Sequence, residues 1–284
     1  MKKLKELKNH PFSFLLKLTV YFAAIITAAV AVFIVVYILI KGIPNLKPSL
    51  FSIEFTSSNQ SMLPSIINTF YITALTLLLA VPIGIFAAIY LAEYANQNNP
   101  VVRLIRLANE TLAGIPSIVY GLFGFLAFVI SKRDWGYSVA SGVLTLAIMV
   151  LPLIIRTTEE ALLAVDSTYR EGSFGLGAGK LRTVFKIVLP SAVPGILAGV
   201  ILAIGRIVGE SAALIYTAGT VPDAAESLTS SASTLSVHLY RLINEGHYVD
   251  EAYATAVVLL LVVLAVNGLS SLVAGKIAKS TGEK

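Results

Sequence analysis

Residues 171–190 read EGSFGLGAGKLRTVFKIVLP and lie between two long apolar stretches of the chain. A glutamate, a glycine and a closing Ile-x-Leu-Pro stand at set distances in this segment: Glu171, Gly177, Ile187, Leu189 and Pro190. Four of its residues are glycine, and each glycine destabilises an isolated helix by about 1 kcal/mol relative to alanine. A helix of this segment alone would be marginal, which implies a docking partner or a break. We predict that the chain turns at Gly177 between two short helices.

The chain around this segment is too apolar and too weakly charged for a soluble domain. Of its 284 residues, 56% are apolar and 13% are charged, whereas soluble domains carry about 25% charged residues. A membrane-spanning helix needs about 20 mainly apolar residues. Six stretches meet this requirement: Leu15–Ile40, Ile66–Tyr90, Thr111–Ile130, Ser138–Ile155, Ser191–Tyr216 and Tyr253–Ala274. Since they are longer than strands and lack the alternation of a membrane barrel, we predict an all-α integral membrane protein with six transmembrane helices.

The apolar spans also set the domain organisation. Lysines precede the first span, as in a signal peptide, but its apolar run is longer than the roughly 7–15 residues of a signal sequence, so we expect it to remain as a helix. We divide the chain into an N-terminal segment, residues 1–14, and a single membrane domain, residues 15–284, with its core at residues 66–275. Residues 156–190 form a large loop, in which Thr157-x-x-Glu160 is expected to begin a helix as a capping box.

The distribution of basic residues predicts the orientation of the spans. If the N-terminus lies inside and the spans alternate, the inside segments hold fifteen Lys and Arg residues and the outside segments hold five, among them Lys132 and Arg133. Cytoplasmic loops are the ones enriched in Lys and Arg, so both termini and the loop 156–190 are expected in the cytoplasm. The net charge of +5 then reflects topology. Because the basic residues are dispersed along the membrane edges, we expect no nucleic-acid partner.

The fifth span carries the two charges that we place deep in the membrane, Arg206 and Glu210, in the sequence GRIVGES of residues 205–211. A charge at the centre of a membrane helix costs about 2.5–3.5 kcal/mol, and such residues face a bundle interior or a water-filled path. In an unbroken helix the two share one face and can pair, and an oxyanion could displace Glu210 from the Arg206 guanidinium. Two interpretations remain open: a substrate path, or a salt bridge that fixes the span to its neighbours. Gly205 and Gly209 are expected to allow close helix packing.

The loop 156–190 lacks a nucleotide site, although Gly179-Lys180 invites the comparison. A phosphate-binding P-loop needs a glycine five residues before the final glycine and Ser or Thr after the lysine, where this chain has Phe174 and Leu181. We therefore expect no cofactor on this chain. No combination of side chains typical of a catalytic site occurs in the spans, so no catalytic residue is expected. The histidines are too dispersed for a metal site; they are His10, His238 and His247.

The segment 171–190 resembles the cytoplasmic EAA loop of ABC importer permeases, E-A-A-x3-G-x9-I-x-L-P. Gly172 and Ser173 replace the two alanines and are poorer helix formers. The resemblance implies a short helix that docks into a groove of a separate ATPase, which uses ATP and Mg. The docking residues would be Glu171, Gly172, Ser173, Gly177, Ile187, Leu189 and Pro190. An ordinary glycine-rich loop is the alternative.

Further strings are similar to the phosphate importer permeases, in particular to their PstA-type subunit. They are Asn68-Thr69, LAGIPSIVYGLFG at residues 112–124, LPLIIRTTEEAL at residues 151–162 and GRIVGES at residues 205–211. The resemblance implies the type I ABC importer permease fold in the plasma membrane of a prokaryote. It implies a heterodimer with a second related permease, two ATPase subunits and an external phosphate-binding protein, all working at the lipid bilayer. It also implies that Arg206 and Glu210 belong to the phosphate path.

Three points stay open from the sequence. Ser117, at the start of the third span, could offer its hydroxyl to the substrate or bond its own backbone. The outer segment after the fifth span is expected to hold either a lateral helix at residues 235–243 or a flexible loop. The function could also be import of another solute by the same fold, such as molybdate, sulfate or an amino acid, because an arginine alone does not separate oxyanions. A membrane sensor or scaffold without transport is a third possibility, against which the docking segment argues.

Overall fold

The structure, a computed structural model, describes residues 11–131 and 135–280 of the chain. Most of the predicted N-terminal segment, His10, and the predicted outside charges Lys132 and Arg133 lie outside this part. Within it, all regular secondary structure is helical. The α-helices are α1 (Pro11–Gly42), α2 (Leu63–Ile89), α3 (Pro100–Ala113), α4 (Ser117–Gly124), α5 (Val139–Leu163), α6 (Ser167–Gly175), α7 (Lys180–Thr183), α8 (Leu189–Gly209), α9 (Ala212–Ile215), α10 (Leu235–Glu245) and α11 (Val249–Ser280). Turns of π-helix continue α2, α4 and α7; they are Tyr90–Tyr94, Phe125–Ile130 and Val184–Val188.

The predicted spans correspond to helices that are long and apolar enough to cross a membrane. The described residues contain five that are continuous: Leu15–Asn45, Leu63–Tyr94, Val139–Leu163, Lys180–Gly209 and Val249–Lys276. The first, second, fourth and sixth predicted spans coincide with members of this set. A bent pair of helices stands in the place of the third, so the number of spans is six when that pair is counted as one. The prediction of an all-α membrane protein is confirmed.

The third span is broken, which the sequence analysis did not predict. The expected helix Thr111–Ile130 is instead the end of α3 followed by α4 and its π turn, and the two parts are bent by 101°. The break falls at Gly114, Ile115 and Pro116, where Pro116 has an extended ψ of 140°. A residue that precedes proline is disfavoured in the helical region, and this stops α3. The Tyr120 hydroxyl donates a hydrogen bond of 2.8 Å to the Leu112 carbonyl across the break, and this bond holds the bend.

The fifth span ends earlier than expected. The helix stops at Gly209 rather than at Tyr216, and the short helix α9 follows as a separate element. Glu210 is extended, with ψ 128°, and its carboxylate accepts a hydrogen bond of 3.1 Å from the Ala213 N–H. A side chain that satisfies a free N–H at the start of α9 competes with continuation of α8, as capping side chains do. The predicted unbroken helix through Glu210 is therefore wrong.

Helix α5 lies at the centre of the bundle. Its Leu146 and Met149 are fully buried and share one apolar cluster with Ile72 of α2 and Ala203 of α8. Helix α5 runs without a break to Leu163, so the predicted capping box at Thr157 is wrong. The Thr157 hydroxyl instead donates to the Leu153 carbonyl one turn back, at 2.9 Å. Since the helix interior already satisfies the Thr157 backbone, the residue has no N-terminal N–H groups to cap.

Glycines bring the helices into direct backbone contact. A Cβ on Gly121 of α4 would lie 2.9 Å from the Ala213 Cα, and one on Gly84 of α2 would lie 2.6 Å from Ile154. The expected close packing at Gly205 and Gly209 is not found within the described chain, because a Cβ on Gly209 would meet nothing within 4 Å and one on Gly205 would make ordinary contact. Small residues that allow close approach of membrane helices are thus used at other positions than the predicted pair.

The segment after α9 folds back over the bundle as an ordered cap at the end opposite to Glu171. Asn68, buried at the start of α2, donates to the carbonyls of Asp223 and Ser233 at 2.8 and 3.1 Å and accepts from the Ala225 N–H at 2.9 Å. The lateral helix is formed, as α10 (Leu235–Glu245). Of the two alternatives left open by the sequence, the helix is confirmed, because buried hydrogen bonds to α2 hold the cap in place.

The first turn of α5 is completed by the same cap. The N–H groups of Ser138, Val139 and Ala140 donate to the carbonyls of Thr217, Ser230 and Leu228, respectively, at 3.0, 2.9 and 2.9 Å. Helix N-termini leave their first N–H groups without partners inside the helix. Here the partners come from a loop that lies far away in the sequence.

Helix α1 contacts the rest of the chain near its C-terminal end. Tyr37 and Tyr253 pack edge to face at 6.0 Å between ring centroids, and Gly42 abuts the backbone of Tyr253 in α11. None of the most apolar window of α1 is buried in the described chain. An apolar helix without cover inside its own chain faces lipid or another protein.

Candidate functional site

The segment singled out first in the sequence forms a compact helical hairpin. Helix α6 begins after Asp166, whose carboxylate accepts from the Thr168 N–H at 2.8 Å. This bond, together with one from the Thr168 hydroxyl, lowers the pKa of the Asp166 carboxyl below its ordinary value. An aspartate N-cap satisfies a free N–H and favours a negative charge at the positive helix end. The cap therefore supports a short helix that its glycines alone would leave marginal.

The turn at Gly177 is where the sequence predicted it. Gly177 has φ +81°, the left-handed region in which glycine carries no steric penalty. Its N–H donates to the Phe174 carbonyl at 2.9 Å, and the Ala178 N–H donates to the Ser173 carbonyl at 3.1 Å. These two bonds form a Schellman motif, which ends α6 and satisfies two of its free carbonyls.

The hairpin carries exposed acidic and apolar side chains. Glu171 is exposed and forms no ion pair within the described residues. Large apolar side chains surround it in sequence and are unusually open: Tyr169 is 57% exposed, Phe174 46%, Leu176 92% and Leu181 67%. Exposed apolar clusters of this kind mark interaction surfaces. We call this surface, with Glu171 and the four apolar residues, the Glu171 surface.

The remaining residues of the predicted docking set fix the hairpin to the membrane helix. Ser173 is buried, unlike its exposed neighbour Gly172, and its hydroxyl lies 2.8 Å from the hydroxyl of Thr183 in α7. Ile187, Leu189 and Pro190 are half-buried and lie on the continuous helix Lys180–Gly209. Pro190 is the second residue of α8 and directly follows the π-helical turn Val184–Val188. The predicted set is thus brought together in one unit with the base of α8.

Two partly buried ion pairs lie beside this unit, and neither was predicted from the sequence. Arg170 of α6 pairs with Glu93, with 2.6 Å between Nη2 and Oε1. Arg106 of α3 pairs with Glu159 of α5, with 2.7 Å between Nη2 and Oε1. The sequence signal was present only as basic residues counted for orientation, because a charge count carries no information about partners 53 or 77 positions away.

The intramembrane arginine is available for a ligand. Arg206 lies in the last turn of α8 and is half-buried. Within the described residues its guanidinium forms no salt bridge and no hydrogen bond. An arginine presents five N–H donors in a planar fork that suits oxyanions, so this side chain can bind an anion without breaking an existing contact.

The expected pairing of Arg206 with Glu210 is absent. Glu210 is 8% exposed and its carboxylate caps α9 through Ala213, while its own carbonyl accepts from the Ser236 hydroxyl of the cap. The two residues no longer share a helix face because α8 ends between them. The two residues therefore differ in their contacts. The Arg206 guanidinium has no partner in the described chain, whereas Glu210 joins α8, α9 and the cap.

Two further polar side chains lie in the membrane region without a partner in the described chain. Ser117 begins α4 and is half-buried, and its hydroxyl forms no hydrogen bond within the described residues, including to its own backbone. Asn267 of α11 lies against Gly205, where a Cβ would stand 3.7 Å from Oδ1 and 3.8 Å from Nδ2. Asn267 was not among the predicted site residues; an isolated asparagine in an apolar helix is the signal that would have found it.

The Glu171 surface and the Arg206 region are separate sites at opposite ends of one helix. Lys180 and Arg206 lie on the continuous helix Lys180–Gly209, and at about 1.5 Å per residue they are roughly 40 Å apart along its axis. Among the described residues, no group of three or more His, Asp or Glu is placed to hold a metal ion. Arg206 and the Glu171 surface therefore lie near opposite ends of the helix Lys180–Gly209.

Comparison with known proteins identifies the family. Residues 80–281 match the family described as binding-protein-dependent transport system inner membrane component. The chain is 36% identical over 267 residues to the probable ABC transporter permease protein YqgI of Bacillus subtilis, covering 86% of this chain and 88% of that protein. It is 33% identical over 231 residues to the phosphate transport system permease protein PstA of Haemophilus influenzae, covering 80% of this chain and 81% of that protein.

Solved structures share the fold at low sequence identity. A bacterial alginate ABC transporter, crystallised in complex with an alginate pentasaccharide-bound periplasmic protein, has a chain that aligns with TM-score 0.67 at 16% identity, covering 97% of this chain and 98% of that chain. The MetNI methionine ABC transporter, in an inward-facing conformation, aligns with TM-score 0.55 at 19% identity, covering 78% and 94%. The predicted type I importer permease fold is thereby confirmed. The chain belongs to the binding-protein-dependent transport system inner membrane components, as an ABC importer permease subunit of the PstA type.

Proposed function

We propose that this chain is the transmembrane subunit that carries inorganic phosphate into a prokaryotic cell by alternating access. The single observation that carries the proposal is the unpartnered, half-buried guanidinium of Arg206 inside a membrane span. A buried cation without a counter-ion is costly, and an oxyanion in transit supplies that counter-ion. The curated relatives with known names include phosphate permeases from several bacteria, which favours phosphate among the oxyanions.

The phosphate path would run past Arg206 and Ser117. The guanidinium would bind two phosphate oxygens through parallel N–H donors, and the Ser117 hydroxyl, which has no partner in the described residues, would donate to a third or accept from a protonated one. Glu210 would shape the path indirectly, since its carboxylate is engaged in capping α9. Binding must stay weak enough for release, and contacts of moderate number at the end of α8 suit that need.

The Glu171 surface would bind the ATPase. Its exposed apolar side chains, with a charged glutamate beside them, suit a groove on a partner, because interfaces bury apolar and aromatic side chains and surround them with polar groups. ATP and Mg would be used by that partner, of which two copies are expected. A second related permease would complete the membrane unit, and an external phosphate-binding protein would deliver the substrate at the cap end. In this arrangement both termini and the Glu171 surface would lie in the cytoplasm.

The test is reconstitution of the complete transporter in liposomes with its second permease, ATPase and binding protein. ATP hydrolysis and solute uptake are measured with phosphate, sulfate, molybdate and an amino acid in turn. Stimulation and uptake with phosphate alone support the proposal. Stimulation by another of these solutes would keep the importer and replace its substrate.

A third outcome separates transport from sensing. If the complex assembles but no solute stimulates ATP hydrolysis, the chain acts as a sensor or scaffold and the proposed function is wrong. The matched control is a complex whose permease carries Arg206→Gln. It should assemble in full and bind ATP, because Arg206 has no structural partner in the described chain to lose.

A further inference from the structure

Two arginines that belong to different helices form hydrogen bonds to one π-helical turn. The turn is Tyr90–Tyr94, which continues α2 and is closed by a bond of 2.8 Å from the Ala95 N–H to the Tyr90 carbonyl. Arg170 of α6 binds it through Glu93, and Arg106 of α3 binds it through the Leu91 carbonyl. π-Helical turns are rare and occur frequently at functional sites. We call this segment the π turn.

The contact from α6 is rigid. Arg170 donates to Glu93 Oε1 from Nη2 at 2.6 Å and from Nε at 3.1 Å. The same guanidinium donates to the carbonyls of Leu162 and Val165 at the end of α5, at 2.8 and 2.7 Å. The side chains of Arg170 and Glu93 are only 19% and 9% exposed. Charge-assisted bonds from a planar guanidinium with this degree of burial fix orientation as well as distance, so we expect movement of α6 to displace the π turn.

A second contact ties the other half of the hairpin to the same place. The ammonium group of Lys180, at the start of α7, lies 5.0 Å from the ring centroid of Tyr94. A cation over an aromatic face is attracted to it. Both helices of the hairpin that carries the Glu171 surface therefore contact the π turn.

The contact from α3 is built in the same way. Arg106 donates to Glu159 of α5 from Nε at 2.8 Å and to the Leu91 carbonyl from Nη2 at 3.1 Å. Asn109, one turn further along α3, donates to the Pro152 carbonyl at 3.1 Å. Since these bonds connect α3 to both the π turn and α5, a displacement of the π turn is passed to α3.

Helix α3 leads directly to a residue of the proposed path. It is followed by the break at Gly114–Pro116 and then by Ser117, the first residue of α4. The bond between Tyr120 and the Leu112 carbonyl, at 2.8 Å, braces the bend. We therefore expect motion of α3 to carry Ser117 with it.

We propose that the π turn is the joint that passes movement of the Glu171 surface to the substrate path, and that Arg170, Glu93 and Arg106 are positioning residues for transport. These residues never touch the solute; they act by joining α6, α2 and α3 in series. The inference rests on the proposed function, because it takes the ATPase as the source of movement at α6.

A double-mutant cycle tests the series connection. The complete transporter is reconstituted with Arg106→Gln, with Arg170→Gln and with both, and phosphate moved per ATP hydrolysed is measured. Each single change should lower this ratio at least tenfold while assembly and ATP binding persist. The phosphate-to-ATP ratio of the double variant should lie within about twofold of that of the single variants. If both arginines belong to one series of contacts, loss of either interrupts it, and loss of the second has no further effect.

The matched control is Arg156→Gln. Arg156 pairs with Glu160 at 2.8 Å, but both are more than half exposed and lie on the same helix, so their bond joins no two elements. This variant should leave phosphate per ATP unchanged. An equal loss in Arg156→Gln and Arg106→Gln would overturn the proposal, as would losses in the double variant that equal the product of the single losses.

Variants that do not assemble are replaced by Arg106→Lys and Arg170→Lys, which keep the charge but lose the planar fork. The same non-additive loss is expected of them. If the lysine variants also fail to assemble, the arginines serve folding and the proposal is overturned. A wild-type complex that moves no phosphate refutes the proposed substrate instead, and the cycle is then measured with whichever solute stimulates ATP hydrolysis.

Discussion

The hydroxyl oxygens of Ser173 and Thr183 lie 2.8 Å apart in a buried contact between the two short helices of the Glu171 hairpin. Thr183 also donates to the Gly179 carbonyl at 3.2 Å, so its hydroxyl can accept from Ser173 at the same time. The serine that departs from the family pattern E-A-A is thus not a defect in the helix. Alanine would stabilise this helix through its higher helix propensity. The serine instead stabilises the hairpin through a hydrogen bond to the second short helix.

Ser173→Ala tests this bond. A buried hydrogen bond contributes about 0.5–1.5 kcal/mol net, and the better helix propensity of alanine returns only part of it. We expect the hairpin to open more readily, by about two- to threefold. Hydrogen exchange of the amides between residues 170 and 183 measures this, with α10 as the unaffected reference. Unchanged exchange would mean that the hydroxyl contact contributes nothing.

Glu171→Arg should release the ATPase. The exposed carboxylate forms no ion pair within the described chain, so the change leaves the permease fold intact and reverses the charge at the centre of the docking surface. We expect at least a tenfold loss of affinity in co-purification from detergent. Glu226→Arg is the control, since Glu226 is also exposed but lies in the cap at the other end. Equal retention of the ATPase by both variants would refute the docking surface.

Arg206→Gln should abolish uptake without loss of stability. The guanidinium has no partner in the described residues, and removal of an unpaired intramembrane charge is not destabilising. Arg206→Lys should retain some uptake, because it keeps the charge but not the paired donors. Arg103→Gln, at an exposed position of α3, is the control and should transport normally. Normal uptake by Arg206→Gln would remove the residue from the path.

Gly121→Ala should destabilise the protein, whereas Gly205→Ala should be tolerated. A methyl group on Gly121 would lie 2.9 Å from the Ala213 Cα, and the backbone there cannot yield cheaply, but on Gly205 it would stand at ordinary contact distance from Asn267. Overpacking of this kind costs about 1–3 kcal/mol. Thermal unfolding in detergent distinguishes the two variants. A similar unfolding temperature would show that α4 and α9 can separate.

Acid should loosen the cap through His238. This histidine of α10 is fully buried, and burial, followed by the nearby charge of Arg241, lowers its pKa from 6.5 to about 4, against a smaller opposite effect of the Gln60 backbone. Because the unfolded cap binds the proton first, stability is full above pH 6.5 and falls as the pH drops towards 4. Between pH 6.5 and 5 the loss is about 2 kcal/mol.

Hydrogen exchange of residues 235–245 at pH 7 and pH 5, corrected for intrinsic rates, measures this effect. The groups that face His238 are Arg241, whose Nη2 lies 3.3 Å from Nδ1, and the ring of Phe55 at 6.3 Å. His238→Gln carries no titrating group at this position and should show no pH dependence in the window. Equal protection of the wild-type cap at both pH values would contradict the prediction.

The sequence was sufficient for elements whose cause is local. Apolar runs longer than about 20 residues predicted the spans, and the αL requirement at Gly177 predicted the turn that the structure has at φ +81°. The 101° bend was missed although its signal was local, because apolar composition continues through the break and hides the restriction that Pro116 imposes on its predecessor. The end of α8 at Gly209 was missed for a similar reason: residues 212–216 remain apolar.

The site was less predictable where its parts meet across long distances. The predicted docking residues form one unit because they lie within 20 positions of each other, whereas the partners of Arg106 and Arg170 lie 53 and 77 positions away. No single-sequence pattern encodes such a pair. The Arg206–Glu210 pair was expected from helical spacing. The structure does not contain it, because the Glu210 carboxylate accepts a hydrogen bond from the Ala213 N–H instead.

The N–H groups at the start of α5 have partners from later in the chain, and this constrains the order in which these hydrogen bonds form during synthesis. Three N–H groups at the start of that helix donate to carbonyls as far along the chain as Ser230. At about 5–20 residues per second, the ribosome delivers these partners several seconds after α5 itself has been synthesised. The central helix of the bundle must therefore enter the bilayer before the N–H groups at its start have their native partners. Water or the insertion machinery would bind these groups until the later segment of the chain folds onto the helix end.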